Sequence, residues 1–181
     1  MQQQTENSYE MELDMKRSYN KAFNNTFSAI QCLAWLSLYD EDVLDFDKDK
    51  IIAFQKGLTD HNKIIDDRDK YFNIDLKLKE EHGINSRKMS NDFPYISKMK
   101  IADFDKRKDK AKATLIGCEN ALEVFFVIFS YELIKEFNYT KDDIDKCYER
   151  MKEHAELYRK GMTNEFVQEF FKDYVDLIIT M

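Results

Sequence analysis

The sequence has only 4 glycines and 1 proline among 181 residues. An all-β fold needs a turn residue every ten or so positions. This shortage excludes a sandwich or barrel and leaves long helices, which need few breakers. With so few glycines there is no GxxxxGK phosphate loop and no GxSxG nucleophile turn. The three cysteines, Cys32, Cys118 and Cys147, are odd in number and widely spaced, and no CxxC occurs. That pattern argues against a disulfide framework or zinc ribbon and predicts reduced core thiols in a cytosol. No signal-type apolar segment lies in residues 1–8. The longest apolar stretch, residues 121–131, is interrupted by Glu123 and is short for a bilayer span. A soluble, cytoplasmic protein with no membrane partner is expected.

What is present suits a helical bundle. Apolar residues make up 43% and aromatics 14%, enough for a packed core, and 35% of residues are charged. The net charge of −7 is unevenly distributed. Residues 86–112 hold nine basic and four acidic side chains, a local +5, which leaves the remainder at −12. An acidic body with a basic connector disfavours wholesale wrapping by nucleic acid.

Apolar spacing predicts about six helices. A tail at 1–8 precedes a helix over 9–39, on which Tyr19, Phe23, Phe27 and Ile30 recur at three- and four-residue steps. A second helix spans 47–70, capped by Asp47, with Ile51, Phe54, Leu58, His61, Ile64 and Ile65 facing inward. A third, capped by Asn73, covers 73–82 and stops at Gly83. Residues 85–97, with Pro94, read as a connector. A fourth helix over 101–137 carries Leu122, Phe125, Phe126, Phe129 and Leu133, with Val124, Val127 and Ile128 on other faces. Such breadth predicts either a central helix buried all round or a homodimer seam. Thr140 with Asp143 forms a capping box for a fifth helix that stops at Gly161. Its inward face is Ile144, Cys147, Tyr148, Met151, Ala155 and Tyr158. Thr163 caps the last helix, with Phe166, Phe170, Tyr174 and Leu177 on one face.

The two halves repeat this plan. At an offset of 93, Phe46 meets Tyr139, Lys48 meets Lys141, Ile51 meets Ile144, Leu58 meets Met151 and His61 meets His154. Ile74 meets Val167, Leu78 meets Phe171, and Ser37 meets Ser130. The expectation is an all-α bundle of two pseudo-repeated three-helix units, 9–84 and 98–181, joined by 85–97 into one compact domain.

Several residue groups bear on function. His61 and His154 have acids nearby, but Glu149, Glu153 and His154 do not form one clean metal-binding face. Arg150 and His154 share a helix, as in helical ribonucleases, which need a wider gap than three residues between the pair. No metal, cofactor or catalytic set is predicted, so a non-enzymatic role is expected. The break after the first helix carries Asp40, Glu41, Asp42, Asp45, Asp47 and Asp49, which present carboxylates to a basic, nucleic-acid-binding protein partner. Alternatively, Lys98, Lys100, Lys106, Arg107, Lys108, Lys110 and Lys112 contact nucleic-acid phosphates directly, with Tyr95 and Phe104 available to stack on bases.

The chain resembles small helical proteins encoded by phages and mobile elements of Gram-positive bacteria. The resemblance rests on the apolar run at 36–39, the aromatic Phe46, the Lys-Asp-x-Ile opening at 48–51 and the Lys-Glu-Glu-x-Gly close at 79–83. Those proteins usually carry Gly-Phe-Gly-Lys-Lys-Arg at the break. Here Asp45-Phe46-Asp47 and Asn138-Tyr139-Thr140 stand instead. The resemblance implies a mobile-element origin and no chemistry. By analogy of class, it suggests an inhibitor of a bacterial defence nuclease of the anti-CRISPR kind.

Overall fold

A computed structural model describes residues 2–65, 67–93 and 108–175. The protein is an all-α bundle, with seven helices and no strand among these residues. They are α1 (Gln2–Tyr39), α2 (Lys48–Ile65), α3 (Arg68–Glu81), α4 (Ser86–Asp92), α5 (Lys108–Phe137), α6 (Lys141–Arg159) and α7 (Asn164–Tyr174).

Most helix ends obey their local chemistry. Asp47 caps α2 by accepting from the Lys50 amide at 2.9 Å. The Thr140–Asp143 capping box opens α6, and the Thr163 hydroxyl accepts from the Phe166 amide at the start of α7. Gly83 (φ +68°) and Gly161 (φ +112°) take the left-handed conformation that ends α3 and α6.

Four expectations need correction. First, α1 begins at Gln2, not Tyr9, because no breaker separates its polar opening from the amphipathic part. Second, α2 ends at Ile65 and α3 starts at Arg68. Asp67 takes the cap, accepting from the Lys70 amide at 3.1 Å, while Asn73 lies within α3. Third, the connector is not simply a link. Asn85 caps α4, and Ser86, Met89, Ser90 and Phe93 are buried. The Phe93 ring meets Phe126 and Tyr148. Fourth, α7 packs through Val167, Phe170 and Phe171, while Phe166 is 57% exposed; the Tyr174 side chain and Leu177 lie outside the described residues. The fourth predicted helix is described from Lys108 onward, as α5; its predicted start at 101–107 lies outside the described residues.

The long helices α1 and α5 lie side by side and run in the same direction. Asp14 pairs with Lys110 at 2.9 Å, Asn120 donates to the Tyr19 hydroxyl at 3.1 Å, and Phe27 meets Phe125 edge-on. They approach closely at Gly117, where a Cβ would lie 2.6 Å from the Tyr19 carbonyl oxygen. By length and composition α5 is apolar enough to cross a bilayer. Here Phe125, Phe126, Val127, Ile128 and Phe129 are buried in the bundle on every side.

The shorter helices pack reciprocally. α2 and α3 lie on α5, the long helix of the other half, whereas α6 and α7 lie on α1. Phe54 of α2 meets Phe129 and Phe137, and Tyr39 of α1 meets Phe170 and Phe171. Where α2 crosses α5, Gly57 makes room for the buried Glu132; a Cβ there would fall 1.7 Å from its Oε1.

Two registers relate the halves. At 93, Asp45 and Asn138 correspond, and they are the only non-glycine residues with positive φ among those described (+49° and +57°). Short polar side chains tolerate this conformation best. The next residues, Phe46 and Tyr139, stack on each other with centroids 5.8 Å apart, and the next, Asp47 and Thr140, are both N-caps. Along the long helices the register is 95. Ala22, Phe27, Ile30, Leu33, Ser37 and Leu38 correspond to Gly117, Leu122, Phe125, Ile128, Glu132 and Leu133, all buried. In this register Ser37 falls on Glu132, whereas at 93 it falls on Ser130; all three are buried. Past the matched pair Leu38 and Leu133, α5 runs three residues further than α1, and the turn that follows has three residues instead of eight, which absorbs the two-residue change.

Candidate functional site: an acidic turn locked to a helix

The eight residues between α1 and α2 form a closed turn. Leu38 accepts from the Phe46 amide at 2.8 Å, and the Asp40 carbonyl accepts from the amides of Val43 (3.0 Å) and Asp45 (3.2 Å). The Asp40 side chain accepts from the Asp42 amide at 3.0 Å. Phe46 is buried against Phe54 and Phe137 and anchors the far end.

Helix α6 holds the outer side. Arg150 binds one Asp40 oxygen through Nε (2.7 Å) and Nη2 (2.6 Å) and reaches Glu153 through Nη1 at 2.5 Å. Lys146 Nζ donates to the Val43 carbonyl at 3.3 Å. The Asp40 side chain is only 14% exposed. Burial pushes its carboxyl pKa up, but the Arg150 guanidinium and the Asp42 amide outweigh burial and hold it below the usual carboxylate value.

His154, one turn beyond Arg150, is half-buried, and its Nδ1 has no hydrogen-bond partner. Burial and Arg150 lower its pKa against the opposing pull of Asp40 and Glu153. The side chain of His61 lies outside the described residues, as do those of Ile64 and Ile65.

The six predicted acids divide by role. Asp40 is bound to Arg150, and Asp47 serves as the α2 cap. Glu41, Asp42, Asp45 and Asp49 are exposed, the last in the first turn of α2, where its charge suits the helix dipole. The turn thus presents Glu41, Asp42 and Asp45 from a segment that α6 holds at Asp40 and Val43, with Asp49 following on α2. Asp67 and Asp69, at the start of α3, are also exposed. Sequence reasoning missed the anchors Arg150 and Lys146, which lie more than 100 positions from their partners.

The basic run is only partly visible. Lys98, Lys100, Lys106 and Arg107 lie outside the described residues, as does the Lys108 side chain. Lys110 pairs with Asp14, and Lys112 is exposed. Cys32, Cys118 and Cys147 are buried and form no disulfide with one another. Burial, tempered by the Tyr158 hydroxyl, pushes Cys32 up to about 12 and suppresses its thiolate. Among the described residues, no three His, Cys, Asp or Glu side chains are grouped to hold a metal ion.

No family model matches this chain, and no match was found among curated proteins or solved structures.

Proposed function

We propose that the protein is a non-enzymatic binding module that acts by occupying a basic surface of a protein partner. The observation that carries this reading is the α1–α2 turn, with exposed Glu41, Asp42, Asp45 and Asp49 on a backbone locked by the Asp40–Arg150 pair. A rigid set of carboxylates loses little freedom on binding and offers charges complementary to a phosphate-binding groove. In its sharpest form, the partner is a host defence nuclease such as a CRISPR effector, and the protein comes from a phage or mobile element.

The test combines purified protein with guide-loaded CRISPR effector nucleases and measures binding, DNA cleavage and phage plaque formation. Binding with loss of cleavage is expected. It should disappear when Glu41, Asp42, Asp45 and Asp49 are replaced by Lys with helix content unchanged. Absence of effector binding and of phage protection overturns the nuclease reading. A salt-sensitive gel shift abolished by charge reversal at Lys106, Arg107 and Lys108 would instead favour direct nucleic-acid binding.

A further inference from the structure

The reciprocal packing has the topology of two intertwined protomers joined in one chain. The short helices of each half are covered by the long helix of the other. Phe54 against Phe129, Tyr39 against Phe171, Tyr148 hydroxyl on the Met89 carbonyl (2.8 Å) and Arg150 on Asp40 all cross between halves. Any of these contacts forms equally well when the two halves belong to different copies of the chain. Only the covalent link 94–107 favours the intramolecular choice.

We infer that the protein exchanges halves with a second copy of itself, forming a dimer in which residues up to 93 of each chain pack on residues from 108 of the other. The geometry of the link makes this specific. Phe93 packs on Phe126, eighteen residues and hence about 27 Å along α5 from Lys108. The fourteen residues of 94–107 reach up to about 50 Å when extended, so they connect the two ends within one bundle or between neighbouring bundles. Two bundles lying side by side and head to tail bring each Phe93 near the other's Lys108. The native link holds its own halves at an effective concentration on the order of millimolar, so exchange competes only near that concentration.

The experiment refolds the full chain from denaturant over a range of concentrations and measures mass by light scattering on a sizing column. Dilute refolding should return monomer. Refolding near the effective concentration should return a dimer with unchanged helix content that persists after dilution. In a second chain, the link is cut to about four residues, whose reach of about 14 Å falls short of the intramolecular span. That variant should be dimeric at all concentrations and retain wild-type helix content. A dimer that dissociates on dilution reflects surface association and overturns the inference. So does a shortened chain that remains a helical monomer or loses its helix content.

Discussion

Replacing Gly117 with Ala tests the tight crossing of α1 and α5, because propensity and packing predict opposite signs. In an ordinary helix interior the change favours folding by about 1 kcal/mol. Here the new Cβ would meet the Tyr19 carbonyl oxygen at 2.6 Å, Ala22 Cβ at 3.2 Å and the Phe23 nitrogen at 3.3 Å. Two of these three atoms are backbone, so no rotamer change relieves the contact and α1 must move as a body. Overpacking of a close-packed core costs about 1–3 kcal/mol, and the strain here belongs near the upper end. A net loss of about 1–2 kcal/mol is therefore expected. For a protein of this size, each kcal/mol lowers the melting temperature by roughly 2–4 °C. Urea titration should show an earlier midpoint with unchanged slope. Gly117→Val should be worse, since it adds bulk and has a lower helix propensity. An Ala variant as stable as wild type, or more stable, would refute the close approach.

Two further predictions concern titration. Above the ordinary carboxylate pKa, Asp40→Asn should cost about 1–2 kcal/mol because it weakens a charge-assisted bond to a partly exposed Arg150. The folded pKa of Asp40 is depressed, so the difference from wild type should shrink as pH falls through that value and vanish in stronger acid. Amide exchange in the turn should accelerate in the same variant. Glu132 behaves oppositely. Burial and then Glu136 push its carboxyl up, with Lys135 opposing and Asp60 adding, to about 7. Wild-type stability should fall between the unfolded value of 4.5 and about pH 7, then level off. Glu132→Gln should flatten that slope in denaturant titrations across this range, and an unchanged slope would reject the assignment.

The helical architecture was readable because amphipathic spacing reports burial directly. The inner face of α6 follows residue by residue from its sequence, and the capping box and left-handed glycines mark their helix ends by local chemistry. Asp67 and Asn73 are both competent caps, so the α2–α3 boundary needed tertiary context. On α7, two overlapping apolar stripes compete, and packing buries Val167 and Phe171, keeps Phe170 against Tyr39 of α1 and leaves Phe166 exposed. Periodicity identifies a covered face but not what covers it. It therefore gave no sign that each half packs on the other, or that Gly117 marks the crossing. The acidic turn was visible as composition. Asp47 was readable as the α2 cap, but the structural role of Asp40 depends on Arg150, far away in the chain.

The crossed packing also bears on synthesis at the ribosome. The apolar faces of α2 and α3 are covered by α5, which is translated later, so the first half emerges before its covering helix exists. Long-range pairing of this kind delays completion of the core, and the nascent chain carries exposed Ile51, Phe54 and Leu58 during that interval. Final compaction is thus tied to the emergence of the C-terminal half, and a chain truncated after residue 93 would leave those side chains uncovered.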